Sequence, residues 1–442
     1  MIFENKVNAA KIKLYSVLYI FLFLSLLFRN GMSFIFSIFF ITIALLLILA
    51  PNEDRRFLVI VLSLAFLVRI ALAYILHLQS CQDGFQGFIS GDDRLYTIRA
   101  LKMAMMRQHL SYNSLCDLGG DEYGVNPFTY LLSLFYTFFK PAYFSSKLLN
   151  CFIGSVTPLF VYFLGKKMFS LNAARISAIL VSFYPSMVRW SLGNLKDPLT
   201  IFLISLALYL ILNVDKRALR FIRLLAIFVC ILLLKQLQVG VFFAFAASIM
   251  LFIVYKFLKR FSAKKITIPL IVSIIIFTVI VYMAAKPMLL KFVNSAITRA
   301  MGLYTFDNAG YFIYNTKMLK EVGSGILSIS SLGYAYLKGL CYFLFTPFPW
   351  SISNLNQLSA YPQVIAWYFL LSFSVFGFLE GLRSSKDKTI FVILFLVLGI
   401  SLFSFAEGNI GSAFRHRDNF SPLIFIYSAA GMVKLFTNKR YL

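Results

Sequence analysis

The stretch FLVIVLSLAFLVRIALAYILHL (residues 57–78) decides the fold. It is long enough to cross a bilayer as a helix, which takes about 20 predominantly apolar residues. One charge, Arg69, interrupts it. An arginine in mid-span is expensive unless it is paired or faces water, so Arg69 is a functional candidate as well as a landmark. Working outward, comparable apolar runs occupy 14–28, 32–50, 146–165, 171–190, 198–213, 219–234, 238–256, 266–285, 362–382, 389–405 and 420–436. With 57–78 they predict an all-α integral membrane protein of about twelve transmembrane helices. The aromatic run 128–139 is too short to span and is expected to lie on the membrane surface. Composition agrees: 60% of residues are hydrophobic and 13% charged, against roughly 25% charged in soluble proteins. Soluble, disordered, collagen-like and disulfide-scaffold classes are excluded.

The formal charge of +25, from 42 Lys and Arg against 17 Asp and Glu, invites a nucleic-acid reading. Orientation in the membrane explains it better, because short cytoplasmic loops collect basic residues. With the N-terminus inside, Arg55-Arg56, Lys166-Lys167, Lys216 to Arg223, Lys256 to Lys265, Arg383 to Lys388 and Lys434 to Arg440 all fall on the cytoplasmic side. Both termini are then cytoplasmic, and 79–145, 191–197, 286–361 and 406–419 are extracytoplasmic. Membrane lipids are partners and nucleic acid is not. Lys6, Lys11 and Lys13 ahead of the first run read as a retained signal anchor. Five Cys and three His are too scattered for a zinc motif. Cys81 and Cys116 share one outer loop and are candidates for a disulfide, with unpaired thiols as the alternative. No internal repeat is visible.

Three extracytoplasmic segments concentrate reactive side chains. The first is Ser90-Gly91-Asp92-Asp93-Arg94-Leu95-Tyr96, opening a helix that runs to about His109. Asp92 or Asp93 suits the helix cap; as a pair at the membrane surface they could equally take a proton from a hydroxyl or bind a metal. The second runs from Tyr184-Pro185-Ser186 through Trp190-Ser191 to Leu195-Lys196-Asp197-Pro198, with Asp197 suited to an N-cap and Lys196 to an anionic headgroup. The third, Glu407 to Asp418, holds Arg415, His416 and Arg417. Basic residues outside run against the orientation rule, and these would grip phosphate, of a substrate or of lipid headgroups in general. Asp117, Asp121 and Glu122 read as a polar turn.

An acid pair with a Tyr three positions on (Asp92, Asp93, Tyr96), after a span and before a juxtamembrane helix, resembles the GT-C superfamily of membrane glycosyltransferases. The stretch from Tyr184 to Pro198 is similar to the second outer loop of its bacterial members, relatives of protein O-mannosyltransferase and of the lipid A aminoarabinose transferase. The resemblance covers 57–213 well and the C-terminal half loosely. It implies a polytopic GT-C-like fold with juxtamembrane helices in its outer loops. Residues 1–50 would be an added helix pair, 51–285 the core with its loop 79–145, and 286–442 an outer loop (286–361) with the C-terminal helices. It implies an inverting transferase that moves a sugar from a polyprenyl phosphate or pyrophosphate carrier to a glycan, lipid or protein acceptor. This would happen on the outer face of the bacterial inner membrane, in cell-surface polysaccharide or glycoconjugate synthesis. Asp92 matches the family's base and Asp197 its second-loop acid, while Asp93 stands where the family often has Glu. Tyr96, Lys196, Arg415, His416 and Arg417 would bind substrate. A divalent metal is compatible with this set but not required by it, because the second loop offers a single acid. Two rivals share the carrier: a polymerase of lipid-linked repeat units, and a non-enzymatic flippase. A flippase calls for ionisable residues along the spans, and these are few.

Overall fold

Among the described residues every regular element is a helix and none is a strand. A bilayer demands this, since a helix satisfies its backbone polar groups within one segment. The computed structural model describes residues 20–108, 126–139, 142–213, 220–260, 294–299, 301, 311, 313–314, 316–323, 328–351 and 355–437. The chain divides into two units, residues 1–237 and 238–442.

The first unit contains α1 (Gly31–Leu49), α2 (Asn52–Gln82), α3 (Gly91–Arg107), α4 (Pro127–Phe138), α5 (Tyr143–Met168), α6 (Leu171–Phe183), α7 (Pro185–Trp190), α8 (Asp197–Ile211) and α9 (Arg220–Leu237). The second contains α10 (Val239–Arg260), α11 (Thr316–Gly323), α12 (Ile329–Phe345), α13 (Leu355–Ser384), α14 (Lys386–Ala406), α15 (Ile410–Arg417) and α16 (Ser421–Thr437).

Six described helices, α1, α2, α5, α10, α13 and α14, are long and apolar enough to cross a membrane. A seventh crossing results if α15 and α16, bent by 61° at their junction, count as one. The remaining expected runs have identifiable reasons to differ. Run 171–190 is divided because Pro185 holds Tyr184 extended (φ −63°, ψ 124°), leaving α6 at 13 residues. Helix α8 has 15 residues. Helix α9 carries Arg220, Arg223 and Lys235 in its 18. Run 266–285 and residues 14–19 of run 14–28 lie outside the described residues, as do Cys116, Asp117, Asp121 and Glu122; residues 20–27 are helical.

In the first unit α5 is the central helix, packing on α2, α6 and α8. Leu46, Leu58, Leu62, Tyr162, Ala174 and Ala178 form a buried cluster where α1, α2, α5 and α6 meet. Small residues set the spacing: a Cβ on Gly165 would lie 3.0 Å from the Ala174 Cα. Lipid gives helices no hydrophobic reason to associate, so close backbone approach supplies the van der Waals contact instead. In the second unit the same device joins α13 and α16. A Cβ on Gly377 would overlap the Tyr427 carbonyl, and one on Gly431 the Phe373 carbonyl.

Candidate functional site

The N-cap of α3 is Ser90, whose Oγ accepts the Asp93 amide at 3.2 Å. The cap expected of Asp92 or Asp93 is therefore made by a hydroxyl, and Asp93 is released to turn inward. Its carboxylate is fully buried. Oδ2 accepts the Ile89 amide at 3.0 Å, and Oδ1 accepts the Asn194 amide at 2.8 Å across more than a hundred residues of chain. Lys147 Nζ, also fully buried, stands 3.6 Å from Oδ2 and donates to the Gly87 carbonyl. Gly193 is dictated by this approach, since a Cβ there would sit 2.7 Å from Ile89 Cδ1 and 3.1 Å from Asp93 Oδ2.

Asp93 thus clamps the segment between Trp190 and Asp197 onto α3, and other side chains complete the grip. Asn194 Nδ2 donates to Thr97 Oγ1 at 2.8 Å and to Ser146 Oγ at 2.9 Å. Ser146 in turn accepts the Tyr136 hydroxyl at 2.8 Å. Asn150 Nδ2 donates to the carbonyls of Gly193 (2.6 Å) and Leu195 (2.8 Å). Arg69, 1% exposed, donates from Nε to Ser191 Oγ (3.0 Å) and from Nη1 to the carbonyls of Ser182 (2.7 Å) and Ala65 (3.1 Å). These hydrogen-bond partners, a hydroxyl and two carbonyls, satisfy the guanidinium in place of an acid. Arg69 also lines a small cavity with Gly154, Thr157, Met187, Trp190 and Pro198.

Asp92 follows the helix start, half-buried in the first turn. Tyr96 lies on the buried face, edge-on to Phe128 with centroids 5.8 Å apart. Asp197, expected as the N-cap of α8, is instead its first residue, 3% exposed; Lys196 holds the cap position without a side-chain cap bond. An acid in the first turn still meets the positive end of the helix dipole. Lys196 Nζ donates to the Leu237 carbonyl at 2.9 Å.

The third expected group belongs to the second unit. Arg417 is 2% exposed and held inward, with its guanidinium 4.8 Å from the Trp367 ring centroid and Nη1 donating to the carbonyls of Leu344 (2.8 Å) and Thr346 (3.1 Å). Arg415 is half-buried. His416 Nδ1 lies 2.6 Å from Oε1 of Glu407, a fully buried carboxylate whose Oε2 accepts the Ser412 hydroxyl. Burial alone pushes the Glu407 carboxyl up. The His416 charge and hydrogen bond, then Arg299 and Ser412, outweigh it and leave the group below its ordinary range. Among the described residues no three His, Cys, Asp or Glu side chains converge as a metal set.

Lys147, Asn194 and Glu407 are the residues that reading the sequence for chemistry passes over. Lys147 did carry a signal, being a basic residue at the outer end of an expected span, where orientation places none.

Fold and constellation define a polytopic helical membrane protein whose first unit pins an acid-bearing loop onto an acid-bearing helix. Residues 127–283 match the family described as dolichyl-phosphate-mannose-protein mannosyltransferase, a domain of the GT-C superfamily. No curated protein matches the chain.

Proposed function

We propose that this chain is an inverting membrane glycosyltransferase, moving a sugar from a polyprenyl phosphate or pyrophosphate carrier to an acceptor hydroxyl on the extracytoplasmic face. One observation carries the reading: the 2.8 Å bond from the Asn194 amide to Asp93 Oδ1 joins the two loops in which the resemblance places the acids. The family match over 127–283 supports the same class. Asp93 is engaged by two amides and an ammonium, and Asp92, half-buried in the first turn of α3, stands where the resemblance places the base. Asp92 takes the acceptor proton as the acceptor oxygen attacks the anomeric carbon, and the bond to the carrier phosphate breaks. Lys196, with the N-terminus of α8, supplies positive charge for the departing phosphate. Tyr96, packed on Phe128, supports α3 from its inner side. Asp197 is the second acid.

The test is transfer from tritiated polyprenyl-phosphate sugars by purified Asp92→Asn. General-base catalysis is worth about 10²–10⁴, so transfer should fall about a hundredfold or more with thermal stability unchanged. Near-normal transfer would overturn the assignment and make Asp197 the base to examine.

A further inference from the structure

Arg69 carries a positive charge into the middle of α2, and among the described residues no carboxylate pairs with it. Cys151 faces the guanidinium, but its thiol donates to the Ser191 carbonyl at 3.3 Å and so is neutral. Lys147, one turn from Cys151 on α5, is compensated by Asp93. A buried charge left without a counter-charge is costly, most of all in a bilayer.

The hydrogen bonds of Arg69 show where a counter-charge fits. A guanidinium has five N–H groups. Nε uses its one on Ser191, and Nη1 uses its two on Ala65 and Ser182. The two on Nη2 meet no acceptor among the described residues. Nη2 is not sealed off either: a water-sized body reaches it, although Arg69 is only 1% exposed. The contact is made in the cavity that Arg69 lines. A Cβ on Gly154 would lie 3.1 Å from Arg69 Nε, so the guanidinium rests on bare backbone at that side.

The rest of the wall selects the ligand. Val181, Met187, Pro198 and Ile201 are apolar. Trp190 brings an indole, which donates and cannot accept. Thr157 Oγ1 donates to the Ile153 carbonyl at 2.9 Å and can turn that hydrogen into the cavity instead. Ser182, next in sequence to Val181, has a buried hydroxyl without a partner, a group that calls for an ion or a water. A water needs two to four polar partners, acceptors among them, and the only side-chain acceptor on this wall is the Thr157 oxygen. A halide only accepts. The volume, about 10 Å³, is close to that of one water-sized body, so a phosphate ester does not fit. Chloride is somewhat larger than water, and the flexible Met187 thioether can yield to it.

We propose that this cavity is a binding site for a small monovalent anion of halide size, held by Nη2 of Arg69 and by the Thr157 hydroxyl. The anion neutralises the mid-span arginine. The inference is independent of the transfer reading, because binding is read without turnover.

The test uses the purified full-length chain in an uncharged detergent, with sodium gluconate holding ionic strength constant as chloride replaces it. The ³⁵Cl line width reports bound chloride. Surface lysines and arginines also broaden the line, so the comparison is with Ile201→Phe, which fills the cavity and leaves every charge in place. Wild type should show a saturable broadening that Ile201→Phe lacks. Thr157→Val keeps the volume and removes one donor, and should raise the half-saturating chloride concentration about two- to tenfold. At chloride tenfold above half-saturation, wild type should melt about 3 °C or more above its value in gluconate, and Ile201→Phe should not respond. Lines equally broad in wild type and in folded Ile201→Phe would overturn the proposal and leave the cavity to water. If Ile201→Phe fails to fold, Thr157→Val decides: an unchanged half-saturating concentration would overturn it. Equal wild-type melting points in chloride and gluconate would do the same.

Discussion

Asp93 and Lys147 are both at zero exposure and 3.6 Å apart, so replacing one strands the other. In Asp93→Asn the carboxamide oxygen can still accept one amide, from Asn194 or from Ile89. Its NH2 group then opposes the second amide, and the Lys147 ammonium keeps only the Gly87 carbonyl. Removing one partner of a buried ion pair costs about 3–5 kcal/mol because a buried charge loses its compensation. The unpaired amide adds to this but is the smaller contribution, at about 1–3 kcal/mol. For a unit of this size each kcal/mol lowers the melting temperature by about 2–4 °C. Asp93→Asn should therefore melt at least about 6 °C below wild type. Asp93→Asn with Lys147→Met removes the stranded charge and should recover most of the loss. Thermal unfolding can be followed by a thiol-reactive fluorophore, since Cys151 is buried one turn from Lys147 and bonded to the Ser191 carbonyl at 3.3 Å. The exposed Cys81 and Cys341 set the baseline. A melting point for Asp93→Asn within about 2 °C of wild type, or a double variant less stable than the single, would refute the clamp.

Arg69→Met leaves the Ser182 carbonyl and the Ser191 hydroxyl without their donor, at about 1–3 kcal/mol for each buried group left unpaired. Hydrogen exchange across 190–196 should accelerate, while exchange in α1 should not change. Gly377→Ala puts a methyl group onto the Tyr427 carbonyl and should cost about 1–3 kcal/mol, read as a lower melting point for the second unit. Because the folded Glu407 carboxyl is held low, its contribution is complete above the ordinary carboxyl value of about 4.3 and is lost as pH falls through the lower folded value. Melting temperature against pH should thus fall below about pH 4, and Glu407→Gln should flatten that limb. For sidedness, Gly120→Cys in a cysteine-free background should react with a membrane-impermeant reagent in intact cells. Reaction only after lysis would invert the topology and remove the extracytoplasmic mechanism with it.

The sequence is most legible where one property acts over a long stretch. Twenty apolar residues state a membrane helix without help from the rest of the chain, and α2 appears as the run 57–78 foretells, with longer ends. Boundaries are less legible because they depend on single residues. Pro185 divides a run that hydropathy alone joins, and Ser90 takes a cap that two neighbouring acids seemed to claim. Asp92 and Asp93 are the same residue type at adjacent positions, and nothing local separates them. Their difference comes from elsewhere: successive residues on a helix point about 100° apart, and only one of those directions meets Asn194 and Lys147.

That dependence on distant partners also explains why the charged residues inside this protein look more anomalous in sequence than in space. Arg69 in mid-span and Lys147 at an outer helix end each break a rule of membrane sequences when read alone. In the fold they act on one segment from two sides. Arg69 holds Ser191, Lys147 compensates the acid that holds Asn194, and Asn150 between them takes the carbonyls of Gly193 and Leu195. A loop rich in backbone polar groups is tolerable near lipid only if protein satisfies them. Buried charge therefore does here what a regular helix would otherwise do for its own backbone.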